Sequence, residues 1–157
     1  MDGPGRKGLR LAGFDYGSVG YYFVTVCTRK RMCTLGCVVW ADVLIGPYIR
    51  LTALGRLVDE TIARMPNVDR YVIMPNHVHL ILKIEPSDGG PMGTSARTIP
   101  KLVHFLKAAV SKSWGSSVWH RSCHDHIIRN ESDYLRIYEY MDTNPARWAE
   151  DCYYEEE

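Results

Sequence analysis

Residues 72–82, VIMPNHVHLIL, constrain the fold more than any other stretch of the chain. Apolar residues lie on both sides of Pro75 and Asn76, and a proline beside an asparagine between two such runs is turn chemistry. A strand over Asp69–Met74 therefore turns back into a second strand over Val78–Ile84, which commits this part of the chain to an antiparallel hairpin. At the head of the second run stand His77 and His79. Strand side chains alternate between faces, so both imidazoles project from one face while Val78 points to the other. That spacing fits two readings: a pair of nitrogens offered to one divalent metal, and two ordinary polar residues on a solvated strand face.

Around this hairpin the pattern alternates. YYFVTVCTR (21–29) is aromatic and β-branched, follows Gly17 and Gly20, and predicts a central strand. TALGRLVDETIARM places Leu54, Leu57, Val58, Ile62 and Met65 at helical spacing and is closed by Pro66. EPSDGGPMGTSART (85–98) is a loop by composition, expected to move near a ligand. Pro100 then opens a helix whose Leu102, Val103, Phe105, Leu106, Ala109 and Val110 form the apolar side. Lys101, His104, Lys107 and Lys112 make a second side without acids, either a solvated face or an anion contact. WHRSCHDHIIRN reads as irregular and partly extended, and ESDYLRIYEYMDTNPARW as a last helix stopped near Pro145. The order strand, helix, strand, strand, helix, extended segment, helix predicts an α+β fold in one domain over 1–157: a ferredoxin-like split βαβ sandwich with an antiparallel sheet and helices packed on one face.

Composition narrows the class. Nineteen Lys and Arg against 18 Asp and Glu give a net charge of +1, so partners cannot be read from global charge. Five cysteines without framework spacing suit a reducing compartment. Cys27, Cys33 and Cys37 lack a CxxC pair and read as small hydrophobes rather than half of a zinc site. No apolar run is long enough to span a membrane, and MDGPGRKGLR leads into no signal-like core, so a cytoplasmic protein is expected.

The last helix separates its tyrosines. Tyr134, Ile137, Tyr138 and Met141 share one stripe, predicted to face the core. Tyr140 lies off that stripe, on the side of Asp133 and Arg136 and four residues before Asn144. A phenol, a guanidinium and a carboxamide thus meet on one polar edge, unless Asn144 serves only to cap the helix.

Three segments, FDYGSVGYYFVTVCTRKR, VIMPNHVHLIL and WHRSCHDHIIRNESDYLRIYEYMDTNPARW, together resemble the REP-associated tyrosine transposases, single-tyrosine members of the HUH superfamily of single-stranded-DNA nucleases. They span most of the chain in the family's order. The resemblance implies an HUH nuclease fold, with His77 and His79 as metal ligands, Asn144 completing the metal site and Tyr140 as the nucleophile. It implies Mg²⁺ or Mn²⁺ as cofactor and, as partner, a single-stranded DNA hairpin from a repetitive palindromic element, cleaved and transferred through a 5′-phosphotyrosine link by a monomer or homodimer. A phenol with an ordinary pKa of about 10 attacking an anionic phosphodiester needs such a cation to offset charge. The link keeps the energy of the bond, so a second 3′-hydroxyl can rejoin strands without a nucleotide cofactor.

A rival pair, His124 and His126, is also two apart; with Cys123 beside it, it would favour zinc. The resemblance places the ligand role on the first pair and leaves His126 as a DNA-contacting or structural histidine. Basic candidates for holding the strand are Arg29, Lys30 and Arg31 after the first strand and Lys101, Lys107 and Lys112 on the basic helix. Trp114 and Trp119 fit base stacking or core closure. The acidic YYEEE end is expected away from DNA. Two further readings are a non-cleaving module of the same fold that binds structured single-stranded DNA or RNA, and a small metal hydrolase using water in place of Tyr140.

Overall fold

The computed structural model describes residues 19–86 and 97–155. Its main sheet has four strands in the order β4-β5-β1-β6, formed by β1 (Gly20–Thr28), β4 (Val68–Ile73), β5 (His77–Ile84) and β6 (Trp119–Ile128), with every neighbouring pair antiparallel. β1 is central, as its apolar run predicts, and the hairpin of β4 and β5 turns at Met74–Asn76. The segment expected to be irregular is instead a regular ten-residue strand, β6, paired with β1. Its alternation is hidden in the sequence by six polar residues, His120, Arg121, Ser122, His124, Asp125 and His126, on both sides of the strand.

Three helices start on side-chain caps. Thr52 accepts the Gly55 N–H for α1 (Ala53–Ala63), Thr98 accepts the Lys101 N–H for α2 (Ile99–Trp114), and Asn130 accepts the Asp133 N–H for α3 (Glu131–Thr143). Pro100 sits in the first turn of α2, and Gly115 ends that helix at φ 88°, a left-handed conformation natural only to glycine. Pro145 breaks the α pattern after α3, and a 3₁₀ turn over Pro145–Glu150 follows.

Period-two alternation sorts the sheet into two faces. Val24, Val26, Val78, Leu80 and Leu82 project to one side and join Val58 and Ile62 of α1 and Val103, Leu106 and Val110 of α2 in the larger core. Ile81 projects to the other and meets Ile137 and Met141 of α3, with Phe23 and Tyr134 beside them. The α+β class with its antiparallel sheet holds. One detail differs: the helices do not all share a face, because α3 crosses to the side opposite α1 and α2. Amphipathicity fixes which side of a helix is buried, not which face of the sheet receives it.

An element absent from the expected order is a second, two-stranded sheet of β2 (Gly36–Trp40) and β3 (Pro47–Leu51), inserted between β1 and α1. Two apolar positions also proved exposed. Phe105 of α2 is 53% accessible, and Tyr138 of α3 is 38% accessible with the Arg70 guanidinium 3.8 Å from its ring centre, so neither is a core residue. The loop over 85–98 and the FDYG segment fall largely outside the described residues. Among the described residues no helix is long and apolar enough to cross a membrane.

Candidate active site

The face that receives α3 is also the face of His77 and His79. Register puts His79 opposite Thr25 and Thr25 opposite His124, while Cys27 pairs with His77. Both histidines are buried, at 0% and 1% accessibility, so they are not polar residues on a solvated face.

Their ring nitrogens are assigned by the partners around them. Asn76 Nδ2 donates to the carbonyls of Arg31 at 3.1 Å and Tyr153 at 2.7 Å, which leaves Asn76 Oδ1 as the acceptor facing His77 Nδ1 at 2.8 Å. His77 therefore carries its proton on Nδ1 and turns a bare Nε2 inward. His79 Nδ1 lies 2.8 Å from Thr25 Oγ1, a partner able to accept. The two Nε2 atoms then face each other across 3.1 Å. Burial lowers both pKa values: His77 falls to about 4, and His79 falls well below the ordinary value, with the charge of His77 adding to the effect. Both imidazoles are neutral at pH 7, the state a metal requires, and each has its second nitrogen anchored.

A carboxylate that sequence reasoning missed completes the cluster. Asp151, with a fully buried side chain, places Oδ2 3.9 Å from His77 Nε2, and the ligand atoms of His77, His79 and Asp151 all lie within 4.8 Å of one another. Asn144 ends α3 in helical conformation and is 2% accessible. Its Nδ2 donates to Asp151 Oδ2 at 2.7 Å, and its Oδ1 is buried without a hydrogen-bond partner. An orphaned buried carbonyl beside the Nε2 atoms of two neutral imidazoles and a buried carboxylate is a donor set that fits a cation, since the carbonyl is otherwise desolvated without return. Asn144 thus occupies the cap position and the cluster at once.

Tyr140 reaches the same point from α3. Its ring lies 5.3 Å from His79 and 6.3 Å from Phe23, and its Oη donates to Asp151 Oδ2 across a long 3.4 Å. Desolvation, and next the Asp151 charge, raise its pKa well above the ordinary phenol value, so the phenol is protonated in this arrangement. From the terminal segment Tyr153 lays its ring 4.7 Å from that of His77.

The structure gathers His77, His79, Tyr140 and Asn144 and separates them from most of the basic candidates. Arg29–Arg31 form a 3₁₀ turn beside the cluster, with Arg31 5.5 Å from the Tyr153 ring centre. Lys101, Lys107 and Lys112 belong to α2, across the sheet, and Lys107 Nζ donates to the His120 carbonyl at 2.8 Å. His126 faces the Tyr140 side and pairs with Asp133 at 2.8 Å. The rival pair does not form a metal cluster among the described residues. Trp119 is buried in the core, and Trp114 is 46% accessible. Asp151 escaped sequence reasoning because the helical spacing that linked Tyr140 to Asn144 ends at Pro145; the one signal was an acid soon after the NPARW turn.

No protein-family model matches the chain. A Haemophilus influenzae protein of uncharacterized role is 33% identical, the alignment covering 95% of this chain and 93% of the relative. The chain belongs to the same family as that protein. Among solved structures, that of a REP-associated tyrosine transposase bound to a REP hairpin superposes with a TM-score of 0.56 at 20% identity, covering 88% of this chain and 72% of the other. The present chain has the fold of that transposase. A Deinococcus radiodurans protein proposed to be a transposase superposes with a TM-score of 0.44 at 19% identity, covering 85% of this chain and 95% of the other.

Proposed function

We propose that this protein is a REP-associated tyrosine transposase that cleaves single-stranded DNA and transfers the strand through a phosphotyrosine on Tyr140. The observation that carries the reading is the pair of inward Nε2 atoms of His77 and His79, 3.1 Å apart, with the Tyr140 ring 5.3 Å from His79. His77, His79, Asn144 and Asp151 are the residues that would hold Mg²⁺ or Mn²⁺. Bound there, such an ion would supply Lewis-acid charge that offsets the anionic phosphodiester under attack.

The remaining steps fall to side chains. Asp151, already the acceptor of the Tyr140 O–H, takes the phenol proton; apo hydrogen bonds of this kind are long and tighten with substrate. Tyr140 Oη bonds to phosphorus, the P–O3′ bond breaks, and the departing 3′-oxygen takes a proton from water. The DNA 5′ end stays on Tyr140 until another 3′-hydroxyl reverses the step. Arg31, 5.5 Å from the Tyr153 ring, and Arg29 and Lys30 on the same turn are the basic side chains proposed to meet the phosphate backbone. The structural relative was solved on a REP hairpin, which supports a DNA hairpin as the partner here. No disulfide joins the five cysteines, all of which lie among the described residues.

The test is cleavage of labelled hairpin oligonucleotides with unpaired tails, taken from DNA flanking the protein's own gene, against perfect duplexes of the same sequence. Strand cleavage is expected on the unpaired tail, lost with EDTA and in the His77→Ala, His79→Ala double variant. Equal cleavage of duplex, or full activity in the double variant, would overturn the reading.

A further inference from the structure

Beside Tyr140 opens a cavity of about 560 Å³, lined at one end by His79 and Tyr140 and at the other by His126 and Arg136, with Phe23 between them. Phe23 and Tyr140 stand edge to face at 85°, which gives the cavity an aromatic wall of the kind on which an unstacked base rests. Register makes the direction explicit. Thr25, the neighbour of His79, lies opposite His124, and Phe23 lies opposite His126. His126 is therefore one side-chain repeat, about 7 Å, farther along the sheet from the row that holds the catalytic cluster. That displacement matches the step of about 7 Å from one nucleotide to its neighbour along an extended strand.

The far end of the cavity is built rather than incidental. Asp133, fixed in the first turn of α3 by the Asn130 cap, gives Oδ2 to His126 Nε2 at 2.8 Å and Oδ1 to the Arg136 guanidinium. Its side chain is only 16% accessible, while His126 and Arg136 are 48% and 70% accessible. One covered carboxylate thus orients two groups that remain open. With Nε2 turned to Asp133, His126 presents Nδ1 to the cavity, and Arg136 keeps most of its five-donor fork.

We propose that this cavity is a subsite for the unpaired nucleotide next to the cleaved phosphate, with His126 contacting the base edge, Arg136 its phosphate, and Asp133 acting as the positioning residue for both. The subsite rests on the strand-transferase reading for its place in a reaction, and its test is arranged to be read without cleavage.

The probe is the flanking-DNA hairpin with its unpaired tail, intact or with a single abasic site at each tail position in turn, titrated by fluorescence anisotropy against Tyr140→Phe protein. Abasic substitution at one tail position adjoining the cleavage site should weaken binding about tenfold, and adding His126→Ala should cost nothing further on that oligonucleotide while costing about tenfold on the intact one. Arg136→Ala should weaken both alike, and Asp133→Asn should reproduce part of each loss. If His126→Ala weakens intact and abasic DNA equally, His126 only ties β6 to α3 and the subsite is wrong. Coupled losses in these titrations, with wild-type protein never forming a DNA adduct, would keep the subsite and remove the transferase reading; adduct formation by wild-type protein without coupling would do the reverse. Failure of every probe to bind would remove both.

Discussion

Asn144 Nδ2 donates to Asp151 Oδ2 at 2.7 Å, so the residue that caps the C-terminus of α3 and a residue beyond the Pro145 turn are locked together over His77. This contact turns the Asn144 carbonyl and the carboxylate toward the same point as the two imidazoles. Asp151→Asn should therefore weaken Mn²⁺ binding by roughly 10–100-fold while leaving the melting temperature nearly unchanged, as isothermal titration and thermal denaturation of the same sample would record. A variant that binds Mn²⁺ as tightly as wild type would place Asp151 outside the metal centre.

The three tyrosines of α3 should separate cleanly. Tyr140→Phe removes only the oxygen proposed to attack and should abolish covalent attachment. Tyr138 is exposed beneath Arg70 and Tyr134 donates to Asp69, so phenylalanine at either position should leave attachment intact. Loss of the Asp69 bond should cost about 1 kcal/mol of stability, read from urea denaturation.

Metal-free protein should lose stability in mild acid. Burial lowers the His77 pKa from 6.5 to about 4 and that of His79 well below its ordinary value. Between 6.5 and about 4 the unfolded chain binds protons that the folded chain does not, so unfolding free energy falls as pH drops through that window. A loss of a few kcal/mol between pH 7.5 and 4.5 is expected from urea midpoints. A flat profile in the metal-free protein would show that the two imidazoles are not buried neutral.

Gly55 carries a packing constraint near the start of α1. A Cβ there would press into the Leu35 carbonyl and meet Leu51, and Thr52, the cap of the same helix, also holds Leu35 O. Gly55→Ala should cost roughly 1–3 kcal/mol, despite the better helix propensity of alanine, and lower the melting temperature accordingly.

Much of this was legible in the sequence because period-two alternation is a strong signal where one face is buried. His77, His79 and Val78 sort to their observed faces on that rule alone, and Tyr140 falls on the polar edge of α3 by helical spacing. The β2–β3 hairpin was not legible, since CVVW and PYIRL are short and the ADVLIG between them carries no clean turn pair. Phe105 and Tyr138 were misplaced because periodicity shows which residues share a side, not whether a neighbour covers them. Asp151 was missed for a related reason: its partners are far from it in period, brought near only by the turn after Pro145.

In the proposed mechanism Tyr140 carries the DNA. Wild-type protein incubated with Mn²⁺ and an unpaired-tail oligonucleotide from its own flanking DNA, denatured, digested and mapped by mass spectrometry, tests it most directly. The account predicts a nucleotide attached through its 5′ phosphate to Tyr140; attachment at Tyr138 or Tyr153, a 3′-phosphate linkage, or cleaved DNA without any protein attached would contradict it.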